Sequence, residues 1–198
     1  MKNRDLLKKG MTKLFTAEIL TMISGFDDLF GIDLWWILVA LVIVDIAAYF
    51  MFLKGVKLCA QADERYKKAR LFALIGLIAG IGEVVGVIFL KEPSRTSADT
   101  LCQALDDLCE FLTVFYVLMA SNEVFKEIKK EELAKAAMTT RNLYLAAWLL
   151  SQILDILGTS ESVPALFTGI GCGIASVVIL LLAEIKFFFF LKNSVKEL

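Results

Sequence analysis

The chain has 198 residues, of which 58% are hydrophobic and 22% are charged, and its mean hydropathy is +0.71. Soluble domains carry about 45–50% apolar residues, so this composition indicates a chain that is surrounded by lipid. The formal net charge of -1 gives no reason to expect a nucleic-acid partner. The sequence contains no histidine, which excludes His-based metal sites and Ser-His-Asp catalysis.

Six apolar blocks follow one another along the chain. They cover residues 14–26, 34–53, 71–90, 108–125, 143–158 and 164–191. A helix needs about 20 residues to cross the hydrocarbon core, a length that the second, third, fourth and sixth blocks reach comfortably. The fifth block is marginal. The first is short, and it fits either a first crossing or re-entrant helix, or the apolar core of a signal peptide, against which Glu18 in its middle argues.

The distribution of basic residues predicts six crossings. With the N-terminus inside, 19 of the 21 Lys and Arg residues lie in the inner segments, and only Lys91 and Arg95 lie outside. The outer segments are acidic instead, and Asp106 and Asp107 belong to them. This asymmetry follows the positive-inside rule. We therefore predict an all-α fold, a polytopic transmembrane helical bundle of six helices with both termini in the cytoplasm.

Local signals refine the helix ends in three places. Thr96–Asp99 resembles a capping box that would start the fourth helix, and Pro164 suits the first turn of the sixth. Lys126–Lys135 is expected to extend the fourth helix into solvent. The run Phe187–Phe190 is expected to face lipid or to form an aromatic belt at the inner interface.

A shift of 72 residues aligns two stretches of the chain without gaps. It brings 53–57 onto 125–129 and 70–72 onto 142–144, and it sets Glu83 opposite Asp155. The alignment indicates an internal repeat of helical hairpins, although apolar helices with basic ends also resemble one another by chance. The three hairpins would cover residues 8–66, 67–138 and 139–198.

Acidic residues inside apolar blocks are the strongest candidates for function. An ionised group is costly in a bilayer, so such side chains normally face the bundle interior or water. The alternative is that they form interhelical hydrogen bonds or lie at the interface. The candidates for an ion or proton pathway are Glu18, Asp28, Asp45, Glu83, Gln152, Asp155 and Glu184.

Small residues in the same helices predict close helix packing. The third block contains two glycine pairs with GxxxG spacing, and the sixth block contains further glycines. The candidate packing residues are Gly76, Gly80, Gly82, Gly86, Gly169 and Gly173.

These features favour a non-enzymatic membrane protein that moves or senses a small cation or a proton-linked solute through an acid-lined bundle. The alternative is an accessory or scaffold protein that binds lipid or another membrane protein. A third reading is a Mg²⁺-dependent membrane enzyme, because Asp106, Asp107 and Glu110 form a DDxxE pattern. We expect no cofactor, and the sequence leaves open whether a metal ion binds.

Three stretches carry a resemblance to known proteins: Lys13–Gly25 (KLFTAEILTMISG), Glu64–Leu74 (ERYKKARLFAL) and Glu131–Asn142. They resemble a loose group of small multi-helix membrane proteins of Firmicutes that have no assigned activity. The resemblance implies the same multi-helix topology and a bacterial plasma membrane. It implies no activity and no site residues.

Overall fold

The fold consists of long helices connected by short segments. The computed structural model describes residues 4–24, 35–89, 94–158 and 163–198, without the side chains of 23–24, 35–42, 45, 83–89, 94–99, 103, 154–158 and 163–172. The helices are α1 (Arg4–Ser24), α2 (Trp35–Ala62), α3 (Lys67–Phe89), α4 (Ser94–Glu127), α5 (Glu131–Gly158) and α6 (Val163–Glu197), with a 3-10 helix (Glu64–Tyr66) between α2 and α3. The described residues contain no strand, which confirms the all-α class.

Two of these helices are long and apolar enough to cross a membrane. They are the segment of α4 from Thr100 to Glu127 and the segment of α6 from Gly173 to Glu197. This conclusion depends on the length and composition of the described residues alone.

The chain divides into two compact units. The first unit contains Met1–Thr113 and Leu191–Leu198, and the second contains Val114–Phe190. Each unit is described separately.

In the first unit, α1 packs along α2 at very short range. A methyl group added to Gly10 would lie 2.9 Å from the backbone nitrogen of Cys59, and one added to Gly55 would lie 2.9 Å from that of Leu14. Only glycine allows two helix backbones to approach this closely. On either side of the contact, Leu7, Met11 and Leu14 are fully buried on one face of α1.

The same contacts determine how α1 and α2 are aligned. Gly10 lies opposite Cys59 and Leu14 lies opposite Gly55, so the two helices are antiparallel. Residue numbers rise along α1 in the direction in which they fall along α2, so Ser24 of α1 lies at the same height as Asp45 of α2. The described part of α1 therefore extends to about the middle of the second apolar block.

The turn between α2 and α3 is stabilised by Asp63. Its carboxylate accepts a hydrogen bond from the backbone nitrogen of Arg65 at 3.0 Å, and it pairs with the Arg65 guanidinium at 2.7 Å. The side-chain hydrogen bonds of Arg65 lower the pKa of Asp63, although partial burial opposes this effect. At the start of the unit, Arg4 donates a hydrogen bond to the carbonyl oxygen of Glu197 at 3.1 Å.

In the second unit, α4 and α5 are separate helices, which corrects the expected helical extension over Lys126–Lys135. Lys129 has a φ of 59°, and the Lys130 amide donates to the Phe125 carbonyl at 2.8 Å. This is a Schellman motif, which ends a helix. The sequence offers no glycine at the left-handed position, and glycine is the usual signal for such an ending.

The core of the second unit contains an aromatic cluster. Phe187 contacts Tyr144 with ring centroids 6.0 Å apart, and Phe190 contacts Phe125 with centroids 5.9 Å apart. Phe187 and Phe190 are each 1% exposed, whereas Phe189 is 51% exposed. The expectation of a wholly lipid-facing or interfacial run over Phe187–Phe190 is therefore wrong for two of its members.

The helix boundaries follow the hairpin repeat only in part. The first hairpin boundary, between residues 66 and 67, coincides with the start of α3. The second boundary, between residues 138 and 139, lies inside α5. The shift of 72 residues also moves Asp63, in the turn after α2, onto Lys135, which is helical.

Candidate functional site

Along both α2 and α3, the exposed side chains change from basic to apolar, and the change occurs at the same height on the two helices. On α2, Lys54 and Lys57 are exposed beside an apolar stretch that includes Phe50, and on α3 the exposed Arg70 precedes Leu71. Tyr49 Oη lies 3.5 Å from the Ala73 carbonyl oxygen, so the two changes are level with each other. The exposed apolar side chains beyond this level are Ile43, Ile46, Phe50, Leu71, Leu74, Ile78 and Ile81.

Asp106 of α4 lies on the glycine face of α3. A methyl group added to Gly76 would lie 3.1 Å from Asp106 Oδ1, 3.2 Å from the Cys109 Cβ and 3.7 Å from Tyr49 Oη. The corresponding point on Gly80 lies 4.0 Å from Asp106 Oδ2. We refer to Tyr49, Gly76, Gly80, Asp106 and Cys109 as the Asp106 site. The missing Cβ of Gly76 leaves the space that the carboxylate and the phenol occupy.

This location of Asp106 differs from the sequence prediction. The sequence places Asp106 with the outer acidic residues, just before the fourth apolar block. Its contacts with Gly76 and Gly80 instead set the carboxylate near the middle of the third block, 71–90. Hydropathy assigns each helix its own limits and carries no information about how far one helix is shifted along its neighbour, which explains the error.

The surroundings of Asp106 are mostly apolar, with a few hydrogen-bonding groups. Asp106 is half-buried and Cys109 is 3% exposed. Thr113 is buried one turn further along α4, and its hydroxyl donates to the Cys109 carbonyl at 2.6 Å. The Asp106 carboxyl and the Tyr49 phenol both lie next to Gly76, and a carboxyl among apolar helices can hold a proton or a small cation.

The carboxylates of the DDxxE pattern differ in exposure, and the magnesium-enzyme reading stays a prediction. Asp106 points at α3, whereas Asp107 and Glu110 are exposed. Among the described residues, no group of three or more Asp, Glu and Cys side chains is arranged to hold a metal ion. Neighbouring positions on a helix point about 100° apart, so Asp106 and Asp107 face different directions.

The other candidate pathway residues are distributed over both units. Glu18 is half-buried on α1 and lies at the same height as Met51 of α2. This height is about one helical turn from the point where the exposed surface changes from basic to apolar. In the second unit, Glu184 is half-buried and Gln152 is exposed. Four candidates lie outside the described residues or side chains: Asp28, Asp45, Glu83 and Asp155.

The candidate packing glycines differ in how closely they are approached. Besides the tight contact at Gly76, a methyl group on Gly82 would lie 3.2 Å from Cys102 Sγ. Gly173 is half-buried on α6. Gly86 and Gly169 lie where side-chain surroundings are not described. Among the described glycines, the tightest contacts are at Gly10 and Gly55, which were not predicted as packing residues. The signal for Gly55 was present, since Gly55 and Cys59 are two small residues four apart.

A further polar group lies in the second unit. Asn122 is 9% exposed, and its Oδ1 is buried with no hydrogen-bond partner among the described residues. Thr140 and Ser176 of the same unit are also buried. An unpartnered buried oxygen costs about 1–3 kcal/mol.

No protein-family model, curated protein or solved structure matches this chain.

Proposed function

We propose that this chain is a multi-pass, non-enzymatic protein of a bacterial plasma membrane that moves or senses protons or a small cation. Asp106 is the residue on which this activity depends. The single observation that carries the proposal is the contact of the Asp106 carboxylate with Gly76 and Gly80 in the middle of an apolar block.

Membrane insertion is supported by the surface of the first unit. Soluble proteins rarely expose contiguous apolar patches beyond a few hundred Å². Here Ile43, Phe50 and Ile78 are each more than 60% exposed, and a basic collar that includes Lys54 and Arg70 borders them at one level. An apolar band with a basic border matches the hydrocarbon core and the cytoplasmic face of a bilayer.

The chemistry of Asp106 follows from that environment. A carboxylate at the level of the hydrocarbon core is costly unless it takes up a proton or pairs with a cation. Gly76 leaves the α3 backbone open beside the carboxylate, and the Tyr49 hydroxyl, which donates to the Ala73 carbonyl, keeps an oxygen lone pair that can accept a hydrogen bond. The site can therefore alternate between a protonated and a cation-bound state, which is what proton or cation coupling requires.

The test is flux through the reconstituted protein. Liposomes containing the full chain are given a pH gradient, or a Na⁺ or K⁺ gradient, and the internal pH or ion content is followed over time. We expect flux above that of empty liposomes, and we expect Asp106→Asn to reduce it to the empty-liposome level. Asp107→Asn is the matched control, because it removes the same charge from the neighbouring exposed position. Wild-type liposomes without flux, or full flux in Asp106→Asn, would overturn the proposal.

The accessory or scaffold alternative is favoured by a different observation. The stretch of α6 that includes Val177, Val178 and Leu180–Leu182 exposes a broad apolar face, while Ser176 and Ala183 on its other side are buried. A partner helix could cover this surface as well as lipid does. Chemical crosslinking in membranes that captures one defined membrane protein on α6, with no flux in liposomes, would favour this alternative.

A further inference from the structure

A groove runs between α2 and α3 on the surface of the first unit. Its volume is about 440 Å³, within the range of about 300–1,000 Å³ that is typical of small-molecule sites. Three cations, Lys54, Lys57 and Arg70, lie along it, together with four apolar residues, Phe50, Leu53, Ala73 and Leu74. We call this feature the basic groove.

The three cations of the basic groove are not neutralised. Lys54, Lys57 and Arg70 are exposed, and none of them has an ion-pair or hydrogen-bond partner in the part of the chain that the structure describes. Nearby cations do have partners, since Arg65 pairs with Asp63 and Lys67 lies 3.5 Å from Glu64. The positive charge of the groove therefore remains available to an anion from outside the chain.

Charge and apolar surface are arranged in order along the groove. Because α2 and α3 are antiparallel, Lys57 near the end of α2 and Arg70 near the start of α3 lie at the same end, next to the 3-10 turn. Phe50 and Leu74 lie at the other end, about 10 Å from Lys57 at 1.5 Å per residue. The groove thus changes from cationic to apolar in the direction that leads into the apolar band.

We propose that the basic groove binds an anionic phospholipid. Its phosphate lies among Lys54, Lys57 and Arg70, and one acyl chain lies along Phe50 and Leu74. This inference rests on the membrane insertion proposed above and not on transport through Asp106. Anionic lipids attract basic residues at the cytoplasmic surface of a membrane.

The groove fits this occupant better than its alternatives. A zwitterionic lipid brings a choline or ethanolamine cation next to three unpaired cations, which is unfavourable. Free phosphate satisfies the cations and leaves the apolar end of the groove uncovered. An acidic peptide matches the charge, but it would expose its polar backbone to the apolar end of the groove.

The experiment measures which lipid the purified full chain retains. Protein in a mild detergent receives equal amounts of phosphatidylglycerol and phosphatidylcholine, and native mass spectrometry counts the lipids bound. The test variant is Lys54→Gln/Lys57→Gln/Arg70→Gln. The control variant Lys8→Gln/Lys9→Gln/Lys135→Gln removes the same charge from exposed positions elsewhere. A second test variant, Leu74→Trp, fills the apolar end and keeps the cations.

We expect the wild type and the control variant to prefer phosphatidylglycerol, and the triple test variant to lose that preference. Leu74→Trp is expected to bind less phosphatidylglycerol than the wild type. An unchanged preference in the triple test variant overturns the proposal. So does displacement of the lipid by inorganic phosphate with no effect of Leu74→Trp, because the groove would then be a phosphate site.

The failure of this inference differs from a failure of the proposed function. If the chain inserts into vesicles and shows no preference for phosphatidylglycerol, only the lipid site is wrong. If the chain stays in solution without detergent and does not associate with vesicles, the proposed membrane insertion is wrong, and the lipid site fails with it.

Discussion

At the scale of single residues, Lys129 adopts a backbone conformation that favours glycine. Its φ of 59° lies in the left-handed region, where a side chain costs about 1–2 kcal/mol. Lys129→Gly removes this cost and keeps the hydrogen bond from the Lys130 amide to the Phe125 carbonyl. We expect the free energy of unfolding to rise by about 1 kcal/mol, measured as a higher melting temperature of the protein in detergent.

The control for this substitution is Lys135→Gly. Lys135 is exposed within α5, where glycine lowers helix stability by about 1 kcal/mol. The same chemical change should therefore raise the melting temperature at one position and lower it at the other. Equal destabilisation by both substitutions would contradict the left-handed ending of α4.

Asp63 makes the stability of the α2–α3 turn depend on pH. Hydrogen bonds from Arg65 lower the pKa of Asp63 below the unfolded value of about 3.9. Its stabilising contribution is thus fully present above the unfolded pKa, and it is lost as the pH falls through the folded pKa. We expect Asp63→Asn to lower the melting temperature at neutral pH and to flatten its decline in acid, so that the two curves converge at low pH.

Glu64→Gln is the control for Asp63. Glu64 is 71% exposed and forms an ion pair of 3.5 Å with Lys67, a type of surface pair that contributes about 0–1 kcal/mol. Its removal should leave the melting temperature nearly unchanged at each pH. A parallel decline of the wild-type and Asp63→Asn curves in acid would refute the role of Asp63.

At the scale of helices, the contact of α1 with α2 tolerates no side chain at Gly55. A methyl group there would meet the Leu14 backbone nitrogen at 2.9 Å and the Leu14 side chain at 2.8 Å. A backbone atom cannot move aside alone, so Gly55→Ala must separate the two helices. Overpacking of this kind costs about 1–3 kcal/mol, and we expect a matching fall in the melting temperature.

Gly80→Ala is the matched control for Gly55→Ala. Among the described residues, a methyl group there would meet Asp106 Oδ2 at 4.0 Å, which is an ordinary van der Waals distance. We expect no loss of stability from Gly80→Ala. Similar losses at Gly55 and Gly80 would mean that a general intolerance of alanine, and not the close helix contact, explains the effect.

The helices themselves were predictable because apolar blocks and basic ends mark them. Each predicted block lies within or beside one of the six helices, and Pro164 lies in the first turn of α6 as expected. The apolar block in α2 ends nine residues before the helix does, so hydropathy did not predict this last segment of α2. In that segment Lys54 and Lys57 are exposed while Val56 and Cys59 are buried, so the helix continues as an amphipathic segment beyond the apolar block.

The site was less predictable than the helices. The glycine spacing of α3 predicts close packing, and a methyl group added to Gly76 would lie 3.1 Å from Asp106 Oδ1. The identity of that group, Asp106, depends on how α4 is shifted along α3, and no pattern within either helix encodes that shift. The pattern within one helix therefore indicated where a site could form, but it did not indicate which carboxylate would occupy that site.

At the scale of the whole molecule, the alignment of α1 with α2 constrains the topology. Since Gly10 lies opposite Cys59, Lys8 of α1 is level with Gln61 near the end of α2. The start of α1 and the end of α2 therefore lie on the same side of the apolar band. If the block 34–53 crosses the proposed bilayer, Trp35 lies on the opposite side from Lys8, and the chain then needs a first crossing before α2. This supports a first crossing even though α1 is short and polar on its exposed face.

Cysteine labelling tests this topology directly. Single cysteines are introduced at Lys8, Glu64, Lys129, Glu92 and Glu161 of a chain without its native cysteines, and intact cells are treated with a membrane-impermeant maleimide. With six crossings, Glu92→Cys and Glu161→Cys react in intact cells, and the other three react only after permeabilisation. If Lys8→Cys reacts in intact cells while Glu64→Cys does not, the antiparallel alignment of α1 and α2 across one bilayer is wrong. The alignment predicts the same accessibility at both positions, because Lys8 and Glu64 lie at the same end of two helices that pack closely at Gly10 and Gly55.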